Sequence, residues 1–511
     1  MSDHATEPET VDVLVVGAGP AGLALAGELG RAGVRALVLE REPQPPGHCR
    51  GFNLNARSLE LLDRRGLADR FLAEGPTVPT TVFVGASRLD LAAMRAKHRY
   101  VLGIPQTRVE ELLAERAVES GARLVRSRRL TGLRQDGAGV TVEVDGADGP
   151  STVRCRWLVG CDGGRSTVRR AAGIGFPGTP ARNFSLLGDV VLADPSAVPF
   201  GPNTGPGGRS VFAIPRPGYV RLLTADPAPP ADPHEPVSLD SFQRAVDAAL
   251  GRRAEIAQAQ WLTRFGDAAR LAERFRAGRV LLAGDAAHIH PPAGAIGVNA
   301  ALDDAVNLGW KLALVARGQA PDTLLDTYHD ERHAAGTRLL RNTRAQAVLA
   351  RADGNDDDDR LAPVRELLAE LAESADTAGP LAEAITGVAT RYPASGDPGH
   401  PWAGRLVPDL PLGPTGRDRL TALLTRTPGG ALLLDGTTPH SAALATAAHP
   451  WADRVTTAHT RPDTPHRADA ILVRPDGHAA WIGTPTTPAD VAAEELRASL
   501  THWFGPPAAT G

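Results

Sequence analysis

Residues 11–40 read VDVLVVGAGPAGLALAGELGRAGVRALVLE. Residues 11–16 are a largely apolar run with the length of a buried parallel strand. Gly17, Gly19 and Gly22 then supply GxGxxG where strand gives way to helix. Gly17 permits a tight turn and Gly19 admits a pyrophosphate to the backbone. Gly22 lets the helix, which opens with Pro20 and Ala21, pack near the strand. The helix N-terminus offers unpaired N–H groups and a positive dipole end to phosphate. A second strand over residues 34–39 ends at Glu40, followed by Arg41. The Glu40 carboxylate suits the hydroxyls of an adenosine ribose and repels a 2′-phosphate, which favours FAD or NAD over NADP. A lone GxGxxG also describes a glycine turn with no ligand. The ordered series of strand, glycines, helix, strand and acid argues against that.

The 511 residues suffice for roughly two to four domains. Hydrophobic content of 42% and charged content of 22% are those of a globular protein. A net charge of −4, with acids interleaved among the arginines, gives no nucleic-acid footprint. No apolar run reaches about eighteen residues, so no membrane span is expected. The first ten residues lack a signal-peptide core, and a cytoplasmic location is the default expectation. Cys49, Cys155 and Cys161 form no CxxC and no metal-ligand spacing, so they are expected to be inert and no metal is expected.

Further along, helical spacing marks residues 56–65 and 106–116. Residues 184–192 and 210–225 alternate apolar and polar, the mark of an antiparallel sheet. Residues 279–284 return to the buried-strand type, and residues 299–317 are helical. Around residue 400 the composition shifts to Pro, Gly and Thr, which predicts a linker. Beyond it lie strands at 431–434 and 470–473, a hairpin signal at RPDGHAAWIG and a closing amphipathic helix over 491–504. The acidic run GNDDDD at 354–359 reads as a solvated loop and helix entry rather than a metal site.

Three more segments carry chemistry. In CRGFNLNARSLELL, Arg50 follows the second strand and can reach a pyrophosphate, with Arg57 seven residues on; a surface role is equally open. In CDGGRS, Asp162 follows a strand and can brace a turn beside a phosphate, or an ordinary Asp-Gly turn. In AGDAAHIHPPAGAIGVN, Asp285 ends a buried strand, where its carboxylate can bind a ribityl hydroxyl. Pro291, Pro292 and Gly294 stiffen a loop, and Gly297, Val298 and Asn299 open a helix. The positive end of that helix favours negative charge on a reduced flavin ring lying against it.

Taken together, GxGxxG…E, CDGGRSTVR and GDAAHxxPPxG…GxNxxxxDAxNLxWKLA resemble the class A flavoprotein aromatic hydroxylases, the p-hydroxybenzoate hydroxylase fold. HPWAGRLVPDLPL, DAILVRPDGHAAW and LTHWFG look like the longer members with a thioredoxin-like C-terminal domain. The resemblance implies an α/β chain: a Rossmann-like FAD-binding domain in three parts (1–76, 100–177 and, with a helical region, 274–395), substrate-domain strands at 77–99, an inserted antiparallel substrate sheet at 178–273, and a thioredoxin-like domain without CxxC at 396–511. It implies an FAD-dependent monooxygenase, with NADPH or NADH as transient reductant, O2 as co-substrate and a polycyclic aromatic of polyketide type as substrate. The flavin C4a-hydroperoxide would be the oxygen donor, in a water-poor pocket.

By matching motifs, the resemblance assigns Gly17, Gly19, Pro20, Ala21, Gly22, Glu40, Arg41, Arg50, Gln106, Asp162 and Asp285 to the cofactor, with Pro292, Gly297, Val298 and Asn299 at its ring. Pro292 and Ile296 are pocket candidates, and no catalytic residue is assigned beyond the flavin. Relatives read PxGGQGxN where this chain has Ile296 in place of the glutamine. Neutral drift and altered substrate positioning both remain open there. A monomer or a homodimer is expected.

His329 and His333 in YHDERH stand at i, i+4, but the order is not HExxH. A surface helix with charge pairing is the better expectation, and His288 belongs to the flavin motif rather than to a metal. The WxWxIP pattern of flavin halogenases is absent. Baeyer–Villiger insertion or oxidative rearrangement of a quinone, and a non-catalytic flavin-binding protein, stay open as alternatives.

Overall fold

The computed structural model describes residues 9–83, 88–291, 294, 296–350, 356–435, 440–460 and 468–508. Its largest sheet runs in the order Arg276–Ala277, Val280–Leu282, Gly149–Gly160, Glu9–Val16, Ala36–Leu39, Arg123–Val125. The last five of these strands are parallel to one another. Val13, Leu14 and Val15 are wholly buried, as a strand covered on both faces requires. The carboxyl ends of Glu9–Val16 and Gly149–Gly160 lie side by side, with Val16 in register with Gly160. That is the edge where open α/β sheets bind ligands. Two helices, Pro20–Arg31 and Gly297–Ala316, pack together there, and Gly309 fits against the Glu28 side chain.

A second sheet is antiparallel throughout, in the order Gly201–Thr204, Ser210–Arg216, Tyr219–Ala225, Phe184–Leu192, Ile256–Gly266. One face packs Leu186, Val190, Val211, Ala213 and Leu222 against Phe242 and Val246 of the helix Leu239–Leu250. Strand alternation therefore sends Leu187, Asp189, Ile214, Arg216, Arg221 and Leu223 to the other face. The register agrees, since Asp189 and Ile214 both stand opposite Arg221.

The C-terminal sheet is mixed. Gly430–Asp435 is parallel to Val455–Thr460 and antiparallel to Ala470–Val473, which pairs in turn with Ala479–Gly483. The helix Ala489–Phe504 covers it. The segment around residue 400 is not the linker its composition predicts. Ser395–Gly396 pairs with Trp481 and Ile482, and Ala403 bridges Ala479. Tyr392 and His400 are buried. Its prolines and glycines shape a chain laid along the sheet rather than a free tether.

A buried ionic network joins these parts. Asp303 and Asp304 lie on Gly297–Ala316. Arg57 donates to both oxygens of Asp303 at 2.9 and 2.7 Å, and Arg332 reaches Asp303 at 2.6 Å and Asp304 at 2.7 Å. Arg332 also donates to the Tyr392 hydroxyl at 3.0 Å. From the C-terminal hairpin, Arg474 pairs with Glu331 and Asp476, and the Trp310 Nε1–H donates to Asp476. Glu331 also accepts from Lys311 and Asn307, each at 2.7 Å. Arg57, Arg332, Arg474 and Lys311 thus face Asp303, Asp304, Glu331 and Asp476, all buried. Stranding one charge of such a set costs about 3–5 kcal/mol.

Arg57, to which the sequence assigned no role, is an interior structural cation. The network also corrects one expectation. The YHDERH helix does carry charge pairs, but Glu331 and Arg332 face inward, because the partners that neutralise them are themselves buried. His329 and His333 pack around the Phe275 ring, and His329 Nδ1 accepts from the Phe275 N–H at 3.2 Å.

The network carries opposing pKa shifts. Burial would raise Asp303 and Glu331, but Arg332 and Arg57 in one case, and Arg474 and Lys311 in the other, bring each to about 2. Burial lowers His478 to about 4 against the pull of Asp476. The unfolded imidazole titrates near pH 6.5, so between about 6.5 and about 4 the unfolded chain binds more protons. Stability should be full above that window and fall through it as pH drops, by on the order of 3 kcal/mol. Urea midpoints from pH 7.5 to 4.5 should show this slope, and His478→Gln should flatten it. An unchanged slope in the variant would assign it elsewhere.

Candidate cofactor and active site

The first glycine turn has one crowded side and one open side. Gly17 sits at φ +107°, where only glycine is at ease, and a Cβ there would strike the Cys161 carbonyl. A Cβ on Gly22 would strike the Gly17 carbonyl. Gly19 has an ordinary extended backbone (φ −84°, ψ −175°), and a Cβ there would meet nothing within 4 Å. That open side leaves room for a group from outside the chain. Among the described residues no side chain caps the helix Pro20–Arg31, so its first N–H groups stay available at the same place.

Glu40 braces this turn. Its Oε2 accepts from the Ala18 N–H at 2.8 Å and its Oε1 from the Glu42 N–H at 2.9 Å. Arg41 is exposed and pairs with Glu42 at 3.2 Å. Gln106 opens the helix Gln106–Glu119; its N–H donates to the Gly51 carbonyl at 3.0 Å, and its carboxamide donates to Glu110 at 2.8 Å. Burial raises the Glu110 carboxyl, and the nearby Glu40 charge adds to the rise.

The Asp162 carboxylate accepts from Ser166 Oγ, the Thr167 N–H and the Val168 N–H at 2.5, 2.6 and 3.1 Å. It thus takes the first two N–H groups of the short helix Thr167–Ala171, whose N-cap is Ser166. Arg169 then links the second motif to the third, donating to the carbonyls of Gly164 and Ala286, each at 2.8 Å. Gly284 closes the gap to the first motif. A Cβ on it would lie 2.9 Å from that of Ala21 and 3.6 Å from that of Ala301. The three motifs, far apart in sequence, therefore meet at one point. Asp285, next in the chain, is exposed there and acts electrostatically on Arg50, opposing the lowering of the Arg50 pKa by burial. Arg50 also donates to Thr263 Oγ1 at 3.3 Å, so it spans from the Asp285 turn to the antiparallel sheet.

The third motif ends in the N-terminus of Gly297–Ala316. No side-chain cap occupies it among the described residues. Ile296 directly precedes it and is 8% exposed, so its side chain is packed rather than projecting. Val298 is buried. The Asn299 carboxamide accepts from the Asn55 N–H at 2.8 Å and Ser58 Oγ at 2.7 Å, which ties this helix end to the segment after Arg50. Pro292 lies outside the described residues. Behind the loop, Asp304 accepts from the Gly284 N–H at 2.9 Å and His288 Nε2 at 2.7 Å.

Two uncapped helix N-termini, an open glycine and a ribose-type carboxylate on one sheet edge fit an adenine dinucleotide with two phosphates. Sequence reasoning missed Asp304, Arg332 and Asn55. The run DDAVNLGWK signalled the family but not that both of its carboxylates point inward. No cluster of three metal-binding side chains occurs among the described residues.

Comparison with known proteins agrees with this geometry. Residues 10–343 match the family described as FAD binding domain, and residues 400–507 match aromatic-ring hydroxylase, C-terminal. The 12-dehydrotetracycline 5-monooxygenase/anhydrotetracycline 6-monooxygenase of Streptomyces rimosus is 42% identical over 97% of this chain and 99% of its own. A rifampicin monooxygenase of Streptomyces venezuelae is 42% identical over 97% of this chain and 98% of its own. The solved OxyS anhydrotetracycline hydroxylase from Streptomyces rimosus superposes with a TM-score of 0.87 at 42% identity, covering 98% of this chain and 100% of that one. This chain is a member of the FAD-dependent aromatic-ring monooxygenase family, with that family's C-terminal domain.

Proposed function

We propose that this enzyme hydroxylates a polycyclic aromatic substrate of polyketide type, using NADPH or NADH as reductant and O2 as oxidant. The convergence of the three motifs at Gly284 carries the proposal, supported by similarity to enzymes named for 12-dehydrotetracycline, anhydrotetracycline and rifampicin. Gly17, Gly19, Pro20, Ala21, Gly22 and Glu40 hold the adenosine and pyrophosphate end of FAD. Arg50, Gln106, Asp162 and Asp285 hold its middle, and Gly297, Val298 and Asn299 its ring end. Pro292 and Ile296 border the substrate. In the same proposal residues 178–273 form the substrate unit and 396–511 the C-terminal one.

When bound, FAD would supply the chemistry by which two reducing equivalents from NAD(P)H let one atom of O2 enter an aromatic carbon while the other leaves as water. The chain supplies placement and field. The N-terminus of Gly297–Ala316 favours negative charge on whatever lies against it. Asn299 fixes that helix end to the Asn55 region, and Asp304 fixes the Gly284–His288 turn beside it. Leu187, Leu223 and Ile214 give the sheet face an apolar surface that keeps water from the reacting centre. Arg50, bridging that face and the Asp285 turn, positions the two halves against each other.

Purified protein with FAD should oxidise NAD(P)H faster in the presence of anhydrotetracycline or a related polycyclic phenol, giving a product with one added oxygen and an unbroken carbon skeleton. An opened or rearranged skeleton would indicate Baeyer–Villiger or rearrangement chemistry. Bound flavin with no turnover across such a panel would contradict the proposal. A second prediction isolates the cradle. Gly19→Val adds bulk only on the open side, so the apoprotein should keep its melting temperature while FAD affinity falls at least about tenfold, or about 1.4 kcal/mol. Unchanged FAD affinity would place the pyrophosphate elsewhere.

A further inference from the structure

Two neighbouring helices turn an apolar patch toward solvent. Val348 lies near the end of the helix Asp326–Leu349, and Val364, Leu367 and Leu371 lie on the helix Asp356–Glu373. They are 43%, 57% and 46% exposed on the second helix and 47% on the first, and they are four of the ten large apolar side chains left exposed among the described residues. Scattered apolar residues on a surface need no explanation, but a concentration of them does. The spacing 364, 367, 371 gathers three of them into one stripe. Loose packing of the helix is not the reason. Leu368 and Ala372, on its inward side, pack with Leu349 against the core cluster of Leu89, Met94 and Ile385. Arg365 Nε also donates to the Leu349 carbonyl at 2.7 Å, which fixes the two helices to each other.

Charge on the two helices is segregated and unspent. Arg338, Arg341 and Arg344 recur on the solvent side of Asp326–Leu349, and Glu366, Glu370 and Glu373 on that of Asp356–Glu373. All six are exposed, and none has a hydrogen bond or an ion pair with any described residue. A rise of about 1.5 Å per residue makes the arginine row about 9 Å long and the glutamate row about 10 Å. Rows of matched length and opposite sign thus stand on adjacent helices without meeting. A groove of about 680 Å³ lies beside the arginine row, lined by Leu271, Leu340, Arg341, Arg344, Val348 and Leu349 among others. The chain therefore carries an apolar stripe flanked by glutamates and an apolar groove flanked by arginines, and it fills neither with the other.

We propose that this face is the interface of a homodimer, in which Asp356–Glu373 of each copy lays its apolar stripe into the groove along Asp326–Leu349 of the other. Each copy gives the stripe and receives it, so the contact is isologous and closes at two subunits. The glutamate row of one copy meets the arginine row of the other. A second copy of this chain is the occupant because both halves of the complement, in shape and in charge, are on the one surface. Exposed ion pairs are worth at most about 1 kcal/mol each, so apolar burial supplies the affinity and the charges set register and direction. The groove side of Asp326–Leu349 is also the side opposite Gln346, whose carboxamide faces Gly294 of the third motif. Dimerisation therefore leaves the cofactor edge uncovered, and each subunit takes up FAD independently.

The test is sedimentation velocity on the full-length protein loaded with FAD, at concentrations up to about 50 µM. The parent should sediment with twice the 53.5 kDa mass of the chain. Leu367→Glu should raise the dissociation constant at least about tenfold while melting temperature and FAD uptake stay those of the parent. Reversing the arginines (Arg341→Glu with Arg344→Glu) should weaken association, and so should reversing the glutamates (Glu366→Arg with Glu370→Arg). All four changes in one chain should bring it back to within about threefold of the parent, because the rows then match again with their signs exchanged. A parent that stays monomeric at the highest concentration would overturn the proposal. So would a dimer that Leu367→Glu leaves intact, which would place the interface elsewhere, and so would charge reversals that the fourfold variant does not rescue. A lowered melting temperature or lost FAD in Leu367→Glu would show the stripe packed within its own chain and would overturn it as well.

Discussion

Asp304 has no exposed surface and divides its carboxylate among three donors: the Gly284 N–H, His288 Nε2 and Arg332 Nε. The bond to Gly284 fixes the end of the strand Val280–Leu282 against the helix Gly297–Ala316. The bond to His288 fixes the start of the loop that runs between them. The bond to Arg332 passes the constraint on to Asp303, Arg57 and Tyr392, and so toward the C-terminal hairpin. A carboxylate without water is stable only with such partners, since burial alone would raise its pKa; here His288 and Arg332 outweigh burial and lower it. The cofactor edge is thus held by a set of interactions that is either complete or costly.

Rigidity at that edge matters because several of the ligand contacts available there are backbone groups. The turn Gly17–Gly22 and the first residues of two helices offer N–H donors, and those point where the helices point. Positioning is delegated to interior pairs: Glu28 with Arg65, Asp303 with Arg57, Glu331 with Lys311 and Arg474. The C-terminal sheet enters the same system through Arg474, Asp476 and His478. It is wired into the helices that carry the cofactor edge, in keeping with the absence of any cysteine for redox chemistry in residues 396–511.

The parts of this arrangement visible in the sequence were those with local period or fixed spacing. The glycines of the first turn, the alternation of 184–192 and 210–225, and the helical face after Gly297 each follow from one segment read alone. The inward charges were not visible that way. Glu331 and Arg332 sit in HDER, which looks like a solvated face, and only their partners on other elements show otherwise. The segment around residue 400 misled for a related reason: prolines and glycines mark irregular backbone, but the packing of Tyr392 and His400 decides whether that backbone is free. Asn299 is an intermediate case, placed by its motif at the ring end but with its carboxamide committed to Asn55 and Ser58.

The most direct measurement is a crystal structure of the protein loaded with FAD. It should show the pyrophosphate against the open side of Gly19 and the first turn of Pro20–Arg31, the isoalloxazine ring near Gly297–Asn299, and Asp304 still bonded to the Gly284 N–H. A flavin bound away from either helix N-terminus, or an Asp304 carboxylate turned from Gly284 to solvent, would contradict the view that one buried network sets the cofactor edge.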